Sequence, residues 1–246
     1  MSMIIRTSIP VNIFSDRPSG VKYMGSLNEQ AYQYLKQMIT SGALDSSKVY
    51  SETRLARQLG MSRTPFRDAI QKLEQDRYID IIPSTGFRIH RLTEKDVIET
   101  FQTRSSIEGY ASYMLTKEYE SPQAKILFLE LENMISHMKL IHEQAKDDFN
   151  PSIPAFFNYD RKFHEAVIGY LGNAYLTNLF EGLIYQISRM AYLSLSHPGR
   201  PATTIREHEA ILQTMRAGDL EHIYRRVLEH MDTPSRINME DIHQVN

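Results

Sequence analysis

Two short apolar-spaced segments on either side of Gly60 leave this chain few ways to fold. In LARQLGMSRTPFRDAI and the residues just beyond it, Phe66, Ala69, Ile70 and Leu73 fall at i, i+3, i+4 and i+7, the spacing that buries one side of a helix. Ser62 or Thr64 can cap that helix, and Pro65 suits its first turn. A preceding helix, Glu52 to Leu59, must cross it closely at Ala56, and Gly60 supplies the turn between the two. Upstream, Leu27, Ala31, Tyr34, Leu35, Met38 and Ile39 form one helical stripe, ended by Gly42. Downstream, IDII and FRIH flank the turn residues PSTG and predict a two-stranded hairpin. Three helices and a hairpin make a winged helix-turn-helix over residues 27–92.

Beyond Leu92 the pattern is helical almost throughout. Helices are expected over 94–118, 122–146, 154–171, 174–196, 203–217 and 219–232, with joints at Pro122, Asn150-Pro151, Gly172-Asn173, His197-Pro198-Gly199 and Gly218. The fold class is therefore mainly α: a winged helix-turn-helix followed by an all-α antiparallel helical bundle. Residues 1–26, with Pro10, Pro18, Gly20 and Gly25 and no sustained period, read as an N-terminal arm. The bundle is expected over 93–236, and 237–246 as a C-terminal tail.

Composition narrows the setting. The chain has no cysteine, which excludes a disulfide framework and a thiolate metal site and suits a reducing compartment. No stretch approaches the roughly 18 apolar residues of a membrane span, and MSMIIRTSIPVNIF lacks a basic start followed by a long apolar run. A cytoplasmic protein without a membrane partner is expected. The net charge of −2 conceals an asymmetry: residues 27–92 hold ten Lys/Arg against seven Asp/Glu, and residues 93–246 fifteen against twenty-two. A basic front segment is the footprint of nucleic-acid binding, although an excess of three also fits a solvated surface.

With the apolar stripe of the helix in MSRTPFRDAIQKLEQDRYI buried, Thr64, Arg67, Asp68 and Gln71 face outward, and Arg63 lies near the leading edge. Arginine's planar fork of donors matches the O6 and N7 acceptors of guanine. Base contact by Arg63 and Arg67 is expected, with Thr64 and Gln71 assisting and Arg88 on the wing reaching phosphate or minor groove. The plain alternative is a small helical domain with solvated arginines.

The run SETRLARQLGMSRTPFRDAIQKLEQDRYI resembles the winged-helix domain of the GntR family of bacterial transcription regulators, over Leu27 to about Leu92. The resemblance implies operator contacts by Arg63, Thr64 and Arg67, a wing turned at Gly86, and a phosphate contact by Arg54. One departure is visible: Arg77 stands where the family usually has a glycine after the recognition helix.

In the acidic half, Asp160 and His164 lie four apart and so share one helix face, while His208 and His230 sit on separate expected helices. Spacing alone is weak, because nine histidines will often produce an acid–histidine i, i+4 pair by chance. However, TRSSIEGYAS, DRKFHEAVIGYLGN, EHEAIL, AGD and His230 are similar in order and spacing to the FCD ligand-binding domain of the FadR-type branch. That similarity implies a divalent metal held by Asp160, His164, His208 and His230, with zinc, nickel, manganese and iron all compatible with the donors. It further implies a small carboxylate effector bridging the metal and Arg104, with Asn173 and Arg189 as lesser contacts. Arg104 can equally be spent on an intrahelical pair with Glu108.

The tyrosines and methionines here, among them Tyr110, Tyr113, Met114, Met134, Met138, Tyr185, Met190 and Tyr192, read chiefly as core. A pocket for a fatty acyl chain is the other ligand weighed. Reading a palindromic operator requires two winged helices, so a homodimer is expected, a repressor released from operator DNA by its effector. The rivals are a metal-dependent hydrolase built on the three-His/one-Asp set and a regulator with a purely structural metal.

Overall fold

A computed structural model of the chain describes residues 25–145 and 148–245. The expected N-terminal arm, apart from Gly25 and Ser26, lies outside the described residues. The chain divides into two compact units between Arg91 and Leu92.

The first unit holds α1 (Leu27–Thr40), α2 (Glu52–Gln58), α3 (Arg63–Gln75), β1 (Ile79–Ile82) and β2 (Gly86–Ile89). Leu35, Phe66, Ile70, Leu73, Ile79 and Phe87 are its largest fully buried side chains. The α3 stripe faces this core as expected, and so do Ala31, Leu35, Met38 and Ile39 of α1, but Leu27 at the start of α1 is exposed, Tyr34 is half-buried, and Tyr32 takes the buried position instead. The turn between α2 and α3 closes with Gly60 in the left-handed region at φ 66° and Met61 N–H donating to Ala56 C=O at 3.0 Å. The strands pair antiparallel, Ile79 opposite Ile89 and Ile82 opposite Gly86. Tyr50 exchanges two backbone hydrogen bonds with Phe87, at 2.7 and 2.9 Å, and anchors the hairpin to the segment before α2. Gly86 is obligatory for that anchor, because its φ is 144° and a Cβ there would lie 2.0 Å from Tyr50 C=O.

The second unit comprises α4 (Glu94–Lys117), α5 (Pro122–Gln144), a 3₁₀ turn at Asn150–Ser152, α6 (Ile153–Gly169), α7 (Ala174–Leu195), α8 (Arg200–Arg216) and α9 (Ile223–Val245). Thr93 and Asp96 form a reciprocal capping box that starts α4, and Ser121 caps α5. Helix α4 packs along α9 and also touches α6, α7 and α8; α5 packs on α6 and α8. The core contains Leu115, Leu131, Met138, Phe156, Phe163 and Phe180, all fully buried.

Three expectations need correction. Helix α8 starts at Arg200 rather than 203, because Pro201 falls in its first turn, where a missing N–H costs nothing. Helix α9 does not stop at 232 but runs through Pro234 to Val245. Val227, Met231, Asn238 and Ile242 keep one face buried across the proline, and Asn238 Nδ2 donates to Pro234 C=O at 2.7 Å and to Met190 C=O at 3.2 Å. That buried stripe outweighs the hydrogen bond Pro234 cannot give. Finally, Tyr110, Tyr113 and Tyr192 are exposed, whereas Met138 and Met190 are core; a tyrosine ring can cover an apolar surface while its hydroxyl stays wet.

Candidate functional site

In the first unit, Arg54, Arg63, Thr64, Arg67 and Gln71 are all exposed. Arg63 and Arg67 line a groove of about 590 Å³ together with Glu52, Thr53 and the wing residues Pro83 to Gly86. Ser62 occupies the N-cap of α3 but makes no side-chain cap, so the first N–H groups of the helix are open to an outside acceptor. Arg88 is partly spoken for: its Nε donates to Asp80 Oδ2 at 3.1 Å. Arg77, where the family pattern has glycine, stands at φ 57°, and Tyr78 N–H reaches back to Leu73 C=O at 2.8 Å. The helix thus ends in a left-handed cap that an L-residue adopts under strain.

In the second unit, three helices bring His164 (α6), His208 (α8) and His230 (α9) to one point, all buried. His164 Nε2 lies 3.2 Å from His208 Nε2 and 3.4 Å from His230 Nε2. Asp160 Oδ1 stands 3.5 Å from His208 Nε2 and 4.0 Å from His164 Nε2. The other ring nitrogens orient the rings. His208 Nδ1 meets the Thr204 carbonyl at 2.8 Å, so it must donate. His164 Nδ1 meets Glu108 Oε2 at 2.6 Å and His230 Nδ1 meets Glu207 Oε2 at 2.8 Å. Each ring is held from outside by an oxygen at Nδ1 and turns its Nε2 inward.

Two of the rings are held toward the neutral form. Burial lowers the His208 imidazole to about 3, with neighbouring His230 adding to the effect, and burial also lowers His230 against the opposing bond to Glu207. Burial would raise all three carboxyls, but their partners outweigh it. Glu108 is held below its ordinary range by Arg104 and His164, Glu207 falls to about 2 through His230 and Arg200, and Asp160 is lowered by the three histidines and Arg104. Three Nε2 atoms, with His164 Nε2 at 3.2 and 3.4 Å from the other two, converge with Asp160 Oδ1 on one point. These separations also match the edge, roughly 3 to 3.4 Å, that metal–nitrogen bonds of about 2.1 Å impose. The donor set therefore fits a divalent metal.

Arg104 forms the intrahelical pair weighed for it, its Nε donating to Glu108 Oε1 at 2.7 Å, and it also lines a small cavity with Asp160 and His230. Asn173 and Arg189 are not among the residues lining that cavity. Asn173 is exposed and caps α7 through Tyr175 N–H and Leu176 N–H, while Arg189 lies over the Tyr185 ring. Sequence reasoning missed Arg200, Glu207 and Thr204. The seven-residue spacing of Arg200 and Glu207 puts both on one face of α8, and that was the available signal.

The residue pattern of bacterial regulatory proteins of the gntR family is matched by residues 27–89, and that of the FCD domain by residues 99–233. The chain belongs to the GntR family and carries an FCD domain. Among GntR-family relatives, the uncharacterized HTH-type transcriptional regulator YdhC of Bacillus subtilis (strain 168) is 30% identical over 82% of this chain and 87% of its own length. The gluconate operon transcriptional repressor of the same organism is 29% identical over 62% of this chain and 58% of its own. The E. coli McbR/YncC structure shares the fold, with a TM-score of 0.60 and 24% identity over 90% of this chain and 99% of that one. As a GntR-family member this chain is a DNA-binding transcription regulator and not an enzyme, which removes the hydrolase reading. Among the described residues no helix is long and apolar enough to cross a membrane.

Proposed function

We propose that the protein is a homodimeric repressor whose grip on operator DNA is set by a small carboxylate taken up beside a divalent metal in the FCD domain. One observation carries this reading: three buried Nε2 atoms face one another while an oxygen holds each histidine's other ring nitrogen from outside. His164, His208 and His230 would hold the ion with Asp160 as a further donor, and zinc, nickel, manganese and iron(II) all accept imidazole and carboxylate. Bound there, the ion would supply positive charge next to the cavity that Arg104 lines. Arg104 Nη2 is buried without a hydrogen-bond partner, a costly state that an incoming carboxylate relieves and a merely bracing metal does not. A relative that represses a gluconate operon is in keeping with an acid as effector.

On the DNA side, Arg63, Thr64, Arg67 and Gln71 would read bases, with Arg54 and Arg88 on phosphate and Gly86 shaping the wing. Two such units related by a dyad read a palindrome with the affinity a repressor needs. Effector binding would favour an arrangement less suited to the operator, releasing it. Metal-stripped protein titrated with each of the four metals tests the centre. We expect one ion per chain and a rise in melting temperature, both lost in His208→Ala; uptake unchanged in that variant refutes the site. Gel shifts on operator fragments, with a panel of small acids added to the metal-loaded protein, test the release.

A further inference from the structure

The two outer partners of the histidines are built alike. Arg104 pairs with Glu108, which holds His164; Arg200 pairs with Glu207, which holds His230. Arg200 Nη1 contacts both Glu207 oxygens, at 2.8 and 2.9 Å. Each arginine keeps one buried donor without a partner, Nη2 of Arg104 and Nε of Arg200. The two side chains are 6% and 5% exposed and line the same cavity, which also touches Asp160 and His230. A buried guanidinium N–H left unmade is expensive; two of them on one cavity, from helices α4 and α8, describe an acceptor that is meant to arrive.

Size and donor count narrow what arrives. The cavity measures about 30 Å³, the space of about two ordered waters or of one carboxylate group. Both free arginine donors can meet one carboxylate, and a second would find no third such donor, because the Ser194 and Thr204 hydroxyls on the same cavity already donate to the carbonyls of Ala191 and Arg200. The remaining walls include Phe101, Ile187, Met190 and Leu195, apolar neighbours for a short chain rather than for a second charge.

We infer that Arg200 and Arg104, each with an unpartnered buried donor on one small cavity, form a two-armed clamp for a single carboxylate, so that the effector is a short monocarboxylate. This rests on the metal-and-carboxylate reading above and adds a specificity-determining residue to it. The same arrangement ties the ligand to the centre, because any shift of Arg200 is passed through Glu207 to His230.

The test uses three probes of nearly equal size, propionate, malonate and propionamide, in calorimetric titrations of the full-length protein with and without zinc. Propionate should bind the zinc-loaded protein at least about tenfold more tightly than either of the others, and the zinc-free protein less tightly. Arg200→Lys keeps the positive charge and the reach to Glu207 but removes the Nε donor. It should weaken propionate about tenfold while zinc affinity, read by competition with a chromophoric chelator, stays within about threefold.

Unchanged propionate affinity in Arg200→Lys, or malonate binding more tightly than propionate, overturns the clamp while leaving the carboxylate reading standing. Parallel loss of zinc in that variant overturns it too, since Arg200 would then serve only to position Glu207 and His230. No response of the zinc-loaded wild type to either acid overturns both readings together.

Discussion

Arg63 and Arg67 stand one turn apart on the exposed face of a single helix, whereas His164, His208 and His230 reach one point from three helices and are all buried. The difference is one of solvation. The winged helix keeps its charged donors in water until DNA arrives, so each needs only an outward position and a helix to hold it. The FCD domain desolvates its charges during folding, and a buried carboxylate must be met by an opposite charge: Glu108 by Arg104, Glu207 by Arg200. An exposed set of donors is fixed by a few neighbouring residues; a buried cluster is fixed by a network, and its members cannot be exchanged singly.

The largest effect that would break this contrast is backbone, not chemistry. Gly86→Ala forces a Cβ toward Tyr50 C=O, 2.0 Å away, at a φ of 144°, and should cost on the order of 3 kcal/mol or more. Urea unfolding should show it, operator binding should fall with it, and zinc uptake should not change. A wild-type unfolding midpoint in this variant would mean the wing can stand off from Tyr50 after all. Next in size, Arg67→Ala should weaken operator binding by about tenfold to a hundredfold, the worth of one bidentate base contact, with selectivity over random duplex reduced and zinc uptake intact. Undiminished selectivity in quantitative gel shifts would remove Arg67 from the reading surface.

What could be read in advance follows the same line. The α3 stripe Phe66, Ala69, Ile70 and Leu73 and the hairpin around PSTG were legible because their logic is contained within about twenty residues, as local spacing rules require. The coming together of His164, His208 and His230 could be anticipated only from resemblance, since 44 and 66 positions separate them and no periodicity links residues on different helices. Arg200 and Glu207 were missed although they too share a face, because in RPATTIREHE nothing marks Arg200 apart from Arg206, and it is packing that buries the first and leaves the second exposed. The last helix, expected to end at 232 with a tail over 237–246, runs on through Pro234 because Asn238 and Ile242 are buried. Local rules lose where tertiary burial is strongest.

A smaller effect sharpens the network side of the comparison. Glu207→Gln keeps an acceptor for His230 Nδ1 but withdraws the negative charge that both His230 and Arg200 face at 2.8 Å. Removing an outer partner of this kind typically costs about tenfold in metal affinity, measurable by chelator competition. Wild-type affinity would show that the histidine's orientation is held by packing alone.

The smallest effect concerns a residue that belongs to neither site. Arg77 ends α3 at φ 57°, with its own N–H on Glu74 C=O at 2.9 Å and the next N–H on Leu73 C=O at 2.8 Å. That is a left-handed helix end, which glycine adopts freely and a residue with a Cβ adopts at a cost of roughly 1 kcal/mol. Arg77→Gly should therefore raise the stability of the winged helix, by about 0.5 to 1 kcal/mol after the gain in unfolded-state freedom and the loss of the arginine's own contacts are set against the relief. The sign is what matters, because most substitutions at a half-buried position lower stability. A higher urea midpoint, with operator affinity unchanged, would identify Arg77 as strain that the wing tolerates. A lower midpoint would mean that the side chain does more for the fold than the left-handed backbone takes from it.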